Sequence, residues 1–121
     1  MKKYLWTTIT VNNLEESIKF YNEILGLKVN RRFAAGPGKE IAFLGEGDTK
    51  IELVCDSNIK IENRSSGISL GFKVENLDET LKMTEEKGIK MTKGIFQPNP
   101  HVKFFFVNDP NGIDIQFVEE I

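Results

Sequence analysis

The scarcest residue types set the limits of what this chain can do. Among 121 residues there is one histidine, His101, and one cysteine, Cys55. One imidazole excludes any site that needs two from a single chain. One thiol excludes an intramolecular disulfide. A Ser-His-Asp or Cys-His arrangement is not credible from a lone histidine in the loop-like stretch Gln97-Pro98-Asn99-Pro100-His101. Gly36-Pro37-Gly38 and Gly45-Glu46-Gly47 precede no helix, so neither cradles a phosphate. The chemistry left is that of acids, hydroxyls, amides, amines and one indole, and strand alternation selects from them Glu52, Thr8, Ser69, Gln116, Lys73 and Trp6. Such a set suits the holding of a small molecule, or general-base work by the acid.

The elements that must position these groups come in two copies. Val11-Asn12-Asn13-Leu14-Glu15-Glu16-Ser17-Ile18-Lys19-Phe20 lies over Val74-Glu75-Asn76-Leu77-Asp78-Glu79-Thr80-Leu81-Lys82-Met83. After a one-residue gap, Gly26-Leu27-Lys28-Val29 lies over Gly88-Ile89-Lys90-Met91. Asn13 and Asn76 are suited to cap helix N-termini, with Glu16 and Glu79 three residues on. Gly26 and Gly88 suit the left-handed position that closes a helix. Leu14, Ile18, Tyr21 and Leu25 predict the buried stripe of the first helix, and Leu77 and Leu81 begin that of the second.

Strands are expected at 5–11 and 28–34 around the first helix, and at 68–74 and 90–96 around the second. Two hairpins follow, 41–44 with 50–54 and 102–107 with 113–118, the latter turning through Asp109-Pro110-Asn111-Gly112. The fold class is therefore α+β, with modules 1–56 and 67–121 joined by a polar linker, 57–66. Each module reads βαβββ and has one sheet face without a helix. Joining the two removes that liability: a curved eight-stranded mixed sheet, a half-open barrel with helices outside and a cleft inside.

Alternation along each strand decides which residues face that cleft. Trp6, Thr8 and Thr10 oppose Ile9 and Val11. Ser69, Gly71 and Lys73 oppose Leu70 and Phe72. Glu52 opposes Ile51, Leu53 and Cys55, and Gln116 opposes Ile115 and Phe117. The expected cleft thus holds Trp6, Glu52, Ser69 and Gln116, flanked by Thr8, Thr10 and Lys73. Position 6 is related to 69 by the repeat, and 52 to 116.

Composition is that of an ordinary globular protein, 40% hydrophobic and 28% charged. Sixteen basic against 18 acidic residues give a net charge of −2, which argues against a nucleic-acid surface. No stretch approaches a membrane span, and Thr7, Thr8 and Thr10 interrupt the only apolar run near the start, so the default expectation is cytoplasmic.

On these motifs the chain resembles the vicinal-oxygen-chelate superfamily: glyoxalase I, bleomycin-resistance proteins, fosfomycin-resistance enzymes and extradiol dioxygenases. The carriers are Val11 through Tyr21, Leu25-Gly26-Leu27, and Phe106-Val107-Asn108-Asp109-Pro110-Asn111-Gly112. They span nearly the whole chain and speak to fold more than to chemistry. The resemblance implies a homodimer and, in the family's metalloenzymes, four chelating side chains on the concave sheet, commonly two His and two Glu. Here those positions hold Trp6, Glu52, Ser69 and Gln116, and only Glu52 keeps a ligand type. No metal and no other cofactor is expected, nor the metal-dependent activities of the family.

Several roles stay open at this level. Trp6 is either a stacking platform for a planar ligand or a core filler. Glu52 is a remnant paired with a neighbour such as Lys73, an orienting group for a ligand, or a catalytic base. His101 is exposed or satisfied by default, with a place on the cleft rim as the alternative. Cys55, on the Ile51/Leu53 face, reads as an inert buried thiol. Only one of Arg31 and Arg32 can face the cleft, and which of Phe104, Phe105 and Phe106 does so depends on register. The leading reading is a metal-free binding protein of the bleomycin-resistance type, taking a small, partly aromatic molecule. The rivals are a lyase or isomerase, with Glu52 as base or with a metal, and a module whose cleft Trp6 seals.

Overall fold

The computed structural model describes residues 1–62 and 67–121. The chain divides into two compact units, Met1–Asn63 and Arg64–Ile121. Part of the expected linker, residues 63–66, lies outside the described residues.

The first unit runs β1 (Trp6–Thr10), α1 (Leu14–Glu23), β2 (Val29–Ala34), β3 (Lys39–Leu44) and β4 (Lys50–Asp56). The second runs β5 (Ser69–Lys73), α2 (Leu77–Glu86), β6 (Lys93–Asn99), β7 (Val102–Asn108) and β8 (Asp114–Glu120). Each is the expected βαβββ module. The sheets are mixed and equivalent, ordered β1-β4-β3-β2 and β5-β8-β7-β6, with the first strand of each module parallel to its fourth.

Both helices start and stop on the residues the repeat marks. Asn13 Oδ1 accepts from the Glu16 amide at 3.0 Å, and Asn76 Oδ1 from the Glu79 amide at 2.9 Å. A cap of this kind is worth about 1 kcal/mol. Gly26 and Gly88 close the helices at φ 71° and 76°, where a side chain would strain the backbone. In α2 the closing bonds run from Ile89 N to Thr84 O and from Gly88 N to Glu85 O. In α1 the corresponding long bond, Leu27 N to Tyr21 O, spans one residue more. That extra residue is the gap in the repeat.

The helices cover one face of each sheet. Under α1 lie Ile9, Ala42, Leu44 and Leu53, each no more than 7% exposed. The helix itself buries Leu14, Ser17, Phe20, Tyr21 and Ile24, so the stripe is rotated from the expected one and Ile18 and Leu25 are half-buried. Small Ser17 is buried with them, 1% exposed. In the second module Leu77, Phe105, Val107, Ile115 and Phe117 form the core. The middle of the phenylalanine run is thus the one facing the helix; Phe104 and Phe106 face the other way, in register with Val118 and Gln116.

Two further expectations need correction. The strand expected at 90–96 is β6, shifted to Lys93–Asn99. The close of α2 uses Ile89, and Thr92 N then bonds Phe106 O before pairing begins. Pro98 falls inside the strand because β6 is the sheet edge, where a missing N–H costs no ladder bond. Cys55 is half-buried rather than buried, with its thiol 3.6 Å from the Asn12 carbonyl. Asn12 also accepts from Ile61 N at 2.8 Å and donates to Ile61 O at 2.9 Å, holding the chain after β4 to its own module.

Arg32 ties β2 to β3 and to α1. Its Nε and Nη2 donate to Glu40 at 2.6 and 3.2 Å, and Nη2 also pairs with Glu15. The hydrogen bond to Glu40, then that to Glu15, makes the guanidinium hold its proton more tightly than usual. Arg32 in turn holds the Glu40 carboxyl below its ordinary value of 4.5. A carboxylate with a lowered folded pKa adds stability above its unfolded value and loses it as pH falls through the folded one. Thermal unfolding of wild type and Glu40→Gln should therefore differ by a constant margin from pH 7 down to about 4.5, then converge at lower pH. A gap that stays constant to pH 3 would show that Glu40 stabilises by some other means.

Candidate functional site

The register gathers side chains on the face of each sheet that points away from its helix. In the first module Trp6 pairs with Lys50 and Thr8 with Glu52 across β1 and β4, and Glu52 pairs with Phe43 on β3. Phe43 in turn pairs with Arg31 on β2. Trp6, Thr8, Glu52, Lys50, Phe43 and Arg31 therefore share one face. Arg31 is the arginine on this side, since Arg32 turns to the helix.

Contacts across this face are specific. The Trp6 and Phe43 rings meet edge-on, centroids 5.1 Å apart at 72°. Phe33 lies roughly parallel to Phe43 at 6.3 Å. The Arg31 guanidinium carbon sits 5.0 Å from the Phe33 centroid and 5.1 Å from that of Phe43. Trp6 is 44% exposed, so its ring is not a filler of its module's core. Half-buried Glu52 accepts a 2.5 Å hydrogen bond from the Thr8 hydroxyl. Within its own module its partner is Thr8; in the second module the Lys73 ammonium pairs with Glu120 at 3.6 Å. Beside these groups a cavity of about 340 Å³ is lined by Leu5, Trp6, Asn30, Arg31, Phe43, Asp48 and Lys50.

The second module repeats the pattern with other side chains. Ser69 pairs with Asp114, Gly71 with Gln116, and Lys73 with Val118. Gln116 pairs with Phe106, and Phe106 with Lys93. The position of Thr8 is taken by Gly71, and the Gln116 carboxamide oxygen lies over it, 3.5 Å from where a Cβ would stand. Ser69, Lys73 and Gln116 thus share a face, as the alternation predicts. His101 lies exposed in the two-residue turn between β6 and β7. Its N–H donates to Asn99 Oδ1 at 2.8 Å, and its carbonyl accepts from Ile121 at 2.7 Å.

The Asp109-Pro110-Asn111-Gly112 motif serves the fold. The buried Asp109 carboxylate accepts from the Asn111 and Ile113 amides at 2.8 Å each and from the Asn111 side chain at 3.1 Å. Among the described residues, no three or more His, Cys, Asp or Glu are grouped as metal ligands. Nor is any helix long and apolar enough to cross a membrane. Strand alternation alone does not single out Phe43, Lys50 or Asn30. The repeat carries the signal for the first two, because Phe43 corresponds to Phe106 and Lys50 to Asp114.

Known proteins share this architecture. A lactoylglutathione lyase of Neisseria meningitidis serogroup A is 29% identical over 127 residues, spanning 98% of this chain and 91% of its own. A probable lactoylglutathione lyase of Synechocystis is 30% identical over 127 residues, with 95% and 93% spanned. The trypanothione-dependent glyoxalase I of Leishmania major superposes with a TM-score of 0.85 at 26% identity, over 99% of this chain and 88% of that one. A glyoxalase family protein of Bacillus cereus, 21% identical over 100% and 95% of the two chains, gives the same TM-score and speaks to the fold alone. The model of the Glyoxalase/Bleomycin resistance protein/Dioxygenase superfamily matches residues 3–117. With that match over nearly its whole length, the chain belongs to this superfamily.

Proposed function

We propose that this chain is a metal-independent member of the superfamily that binds a small, partly aromatic molecule. Trp6 is the stacking surface and Glu52 the acid that orients the ligand. The observation that carries this reading is the union, on one sheet face, of the Trp6–Phe43 edge contact and the Thr8–Glu52 hydrogen bond. An exposed indole held at a fixed angle offers a flat apolar surface. The other Glu52 oxygen makes no hydrogen bond among the described residues and can accept from a ligand N–H or O–H. Thr8 completes the set on this module; Ser69, Lys73 and Gln116 are its proposed members on the other.

Donor chemistry supports the metal-free part. The positions that the family resemblance assigns to chelation hold Trp6, Glu52, Ser69 and Gln116. An indole has no lone pair to give, and a neutral hydroxyl and carboxamide are poor ligands for zinc or nickel. The one strong donor already accepts from Thr8. These residues do not fit a catalytic divalent metal.

A second reading, an enzyme, is favoured by relatives that bear the name lactoylglutathione lyase. In it Glu52 is the general base, or a bound metal supplies the chemistry. Protein purified without chelator should carry no stoichiometric nickel, zinc, manganese or iron, and should show no lactoylglutathione lyase activity when these ions are added. Stoichiometric metal with activity establishes the enzyme and overturns the first reading. Activity without metal that Glu52→Gln abolishes assigns Glu52 as base.

Ligand binding is tested by thermal shift against a panel of small aromatic compounds. A ligand at 100 times its Kd should add about 2.7 kcal/mol to wild type, a rise of about 8–16 °C. Trp6→Ala should lose that rise. A shift equal in both proteins would remove Trp6 from the site. The chain is also proposed to form a homodimer, in keeping with exposed Trp6, Phe33 and Phe96. Light scattering should return twice the chain mass, and a monomer at micromolar concentration would refute it.

A further inference from the structure

The two modules, superposed through their strand registers, act as controls for one another. Trp6, Lys50, Glu52, Phe43 and Arg31 occupy the places of Ser69, Asp114, Gln116, Phe106 and Lys93. In both modules a cation lies over the ring at the centre of the face: Arg31 over Phe43 at 5.1 Å, and Lys93 over Phe106 at 4.6 Å. In the second module that cation is neutralised internally, because Asp114 accepts from Lys93 at 2.9 Å. The first module has Lys50 where Asp114 would be. Its ammonium donates to the Gly47 carbonyl at 2.8 Å, and neither Lys50 nor Arg31 makes an ion pair among the described residues. The acid of one copy is a second base in the other.

Two cations on one aromatic-lined cavity repel each other and invite a counter-charge. Asp48 also lines the cavity, so the lining carries two positive groups and one negative. We propose that this cavity is an anion site, and that its occupant is a planar carboxylate. The ring stacks against Trp6, while the carboxylate sits between Arg31 and Lys50 and supplies the negative charge that Asp114 supplies in the other module. The guanidinium fork suits a carboxylate, and cation–π contact with Phe33 and Phe43 holds the fork in position. A volume of about 340 Å³ is at the small end of ligand pockets and fits one or two rings. This inference rests on the aromatic-binding function proposed above and adds the charge of the ligand to it.

Trp6 is the only tryptophan in the chain, so its fluorescence reports on this cavity directly. Three nitroaromatic quenchers share a ring and differ in charge: 4-nitrobenzoate, 4-nitrobenzamide and 4-nitrobenzylamine. Titrated into the full-length protein, the acid should quench saturably and bind about tenfold more tightly than the amide, with the amine weakest. Raising the salt should weaken the acid and leave the amide unchanged. Arg31→Met should remove the preference for the acid. Lys50→Asp, which installs the acid that the second module carries, should do the same; circular dichroism checks that both variants fold. If the amide or amine binds as well as the acid, the anion assignment fails while aromatic binding stands. Equal preference for the acid in Arg31→Met and Lys50→Asp also overturns it, and if none of the three quenches at millimolar concentration, both proposals fall.

Discussion

Everything proposed for this chain depends on the parallel pairing of the first and fourth strands within each module. Parallel neighbours need a long crossover between them, and here α1, β2 and β3 supply it in the first module, as α2, β6 and β7 do in the second. The pairing brings residue 6 beside residue 50 and residue 8 beside residue 52, although more than forty positions separate them in the chain. Period-two alternation then puts the whole group on one face. A slip of one residue would send Trp6 and Thr8 to the helix side and bring Ile9 to the other. The buried Ile9, Leu53 and Leu44 prevent that slip, since they pack only in the observed register. The hydrophobic layer beneath α1 therefore positions the polar chemistry on the opposite face.

Much of this was legible in the residues because the devices involved are local. Asparagine caps, closing glycines and alternating strands each act within a few positions, and duplication makes every such signal appear twice. The faces of Trp6, Thr8, Glu52, Ser69, Lys73 and Gln116 follow from parity alone. Features that depend on partners distant in sequence were harder to read. The edge position that lets Pro98 sit in a strand is a property of the sheet, as is the choice of Phe105 for the core. That Glu52 meets Thr8 depends on side-chain reach across a register. The rotated stripe of α1 takes in the polar Ser17, which hydrophobic spacing passes over.

The same comparison shows how one fold carries different chemistry. Backbone devices are nearly identical in the two modules, down to the residues that accept the first helical amides. The faces away from the helices have diverged. One carries an indole, a threonine-held acid and two bases; the other a serine, a glycine, a carboxamide and a matched ion pair. Membership of the superfamily follows from the shared scaffold, whereas activity follows from these few side chains.

The closing turn of α1 has a consequence of its own. It accommodates one residue more than that of α2, yet the strands on either side keep the same neighbours in both copies. Chain length can thus change at this corner without being passed on to the sheet, because a left-handed glycine and a longer reach absorb the surplus locally. Such corners let duplicated halves drift in size while their pairing geometry stays matched, and they are natural places to graft foreign peptide into this scaffold.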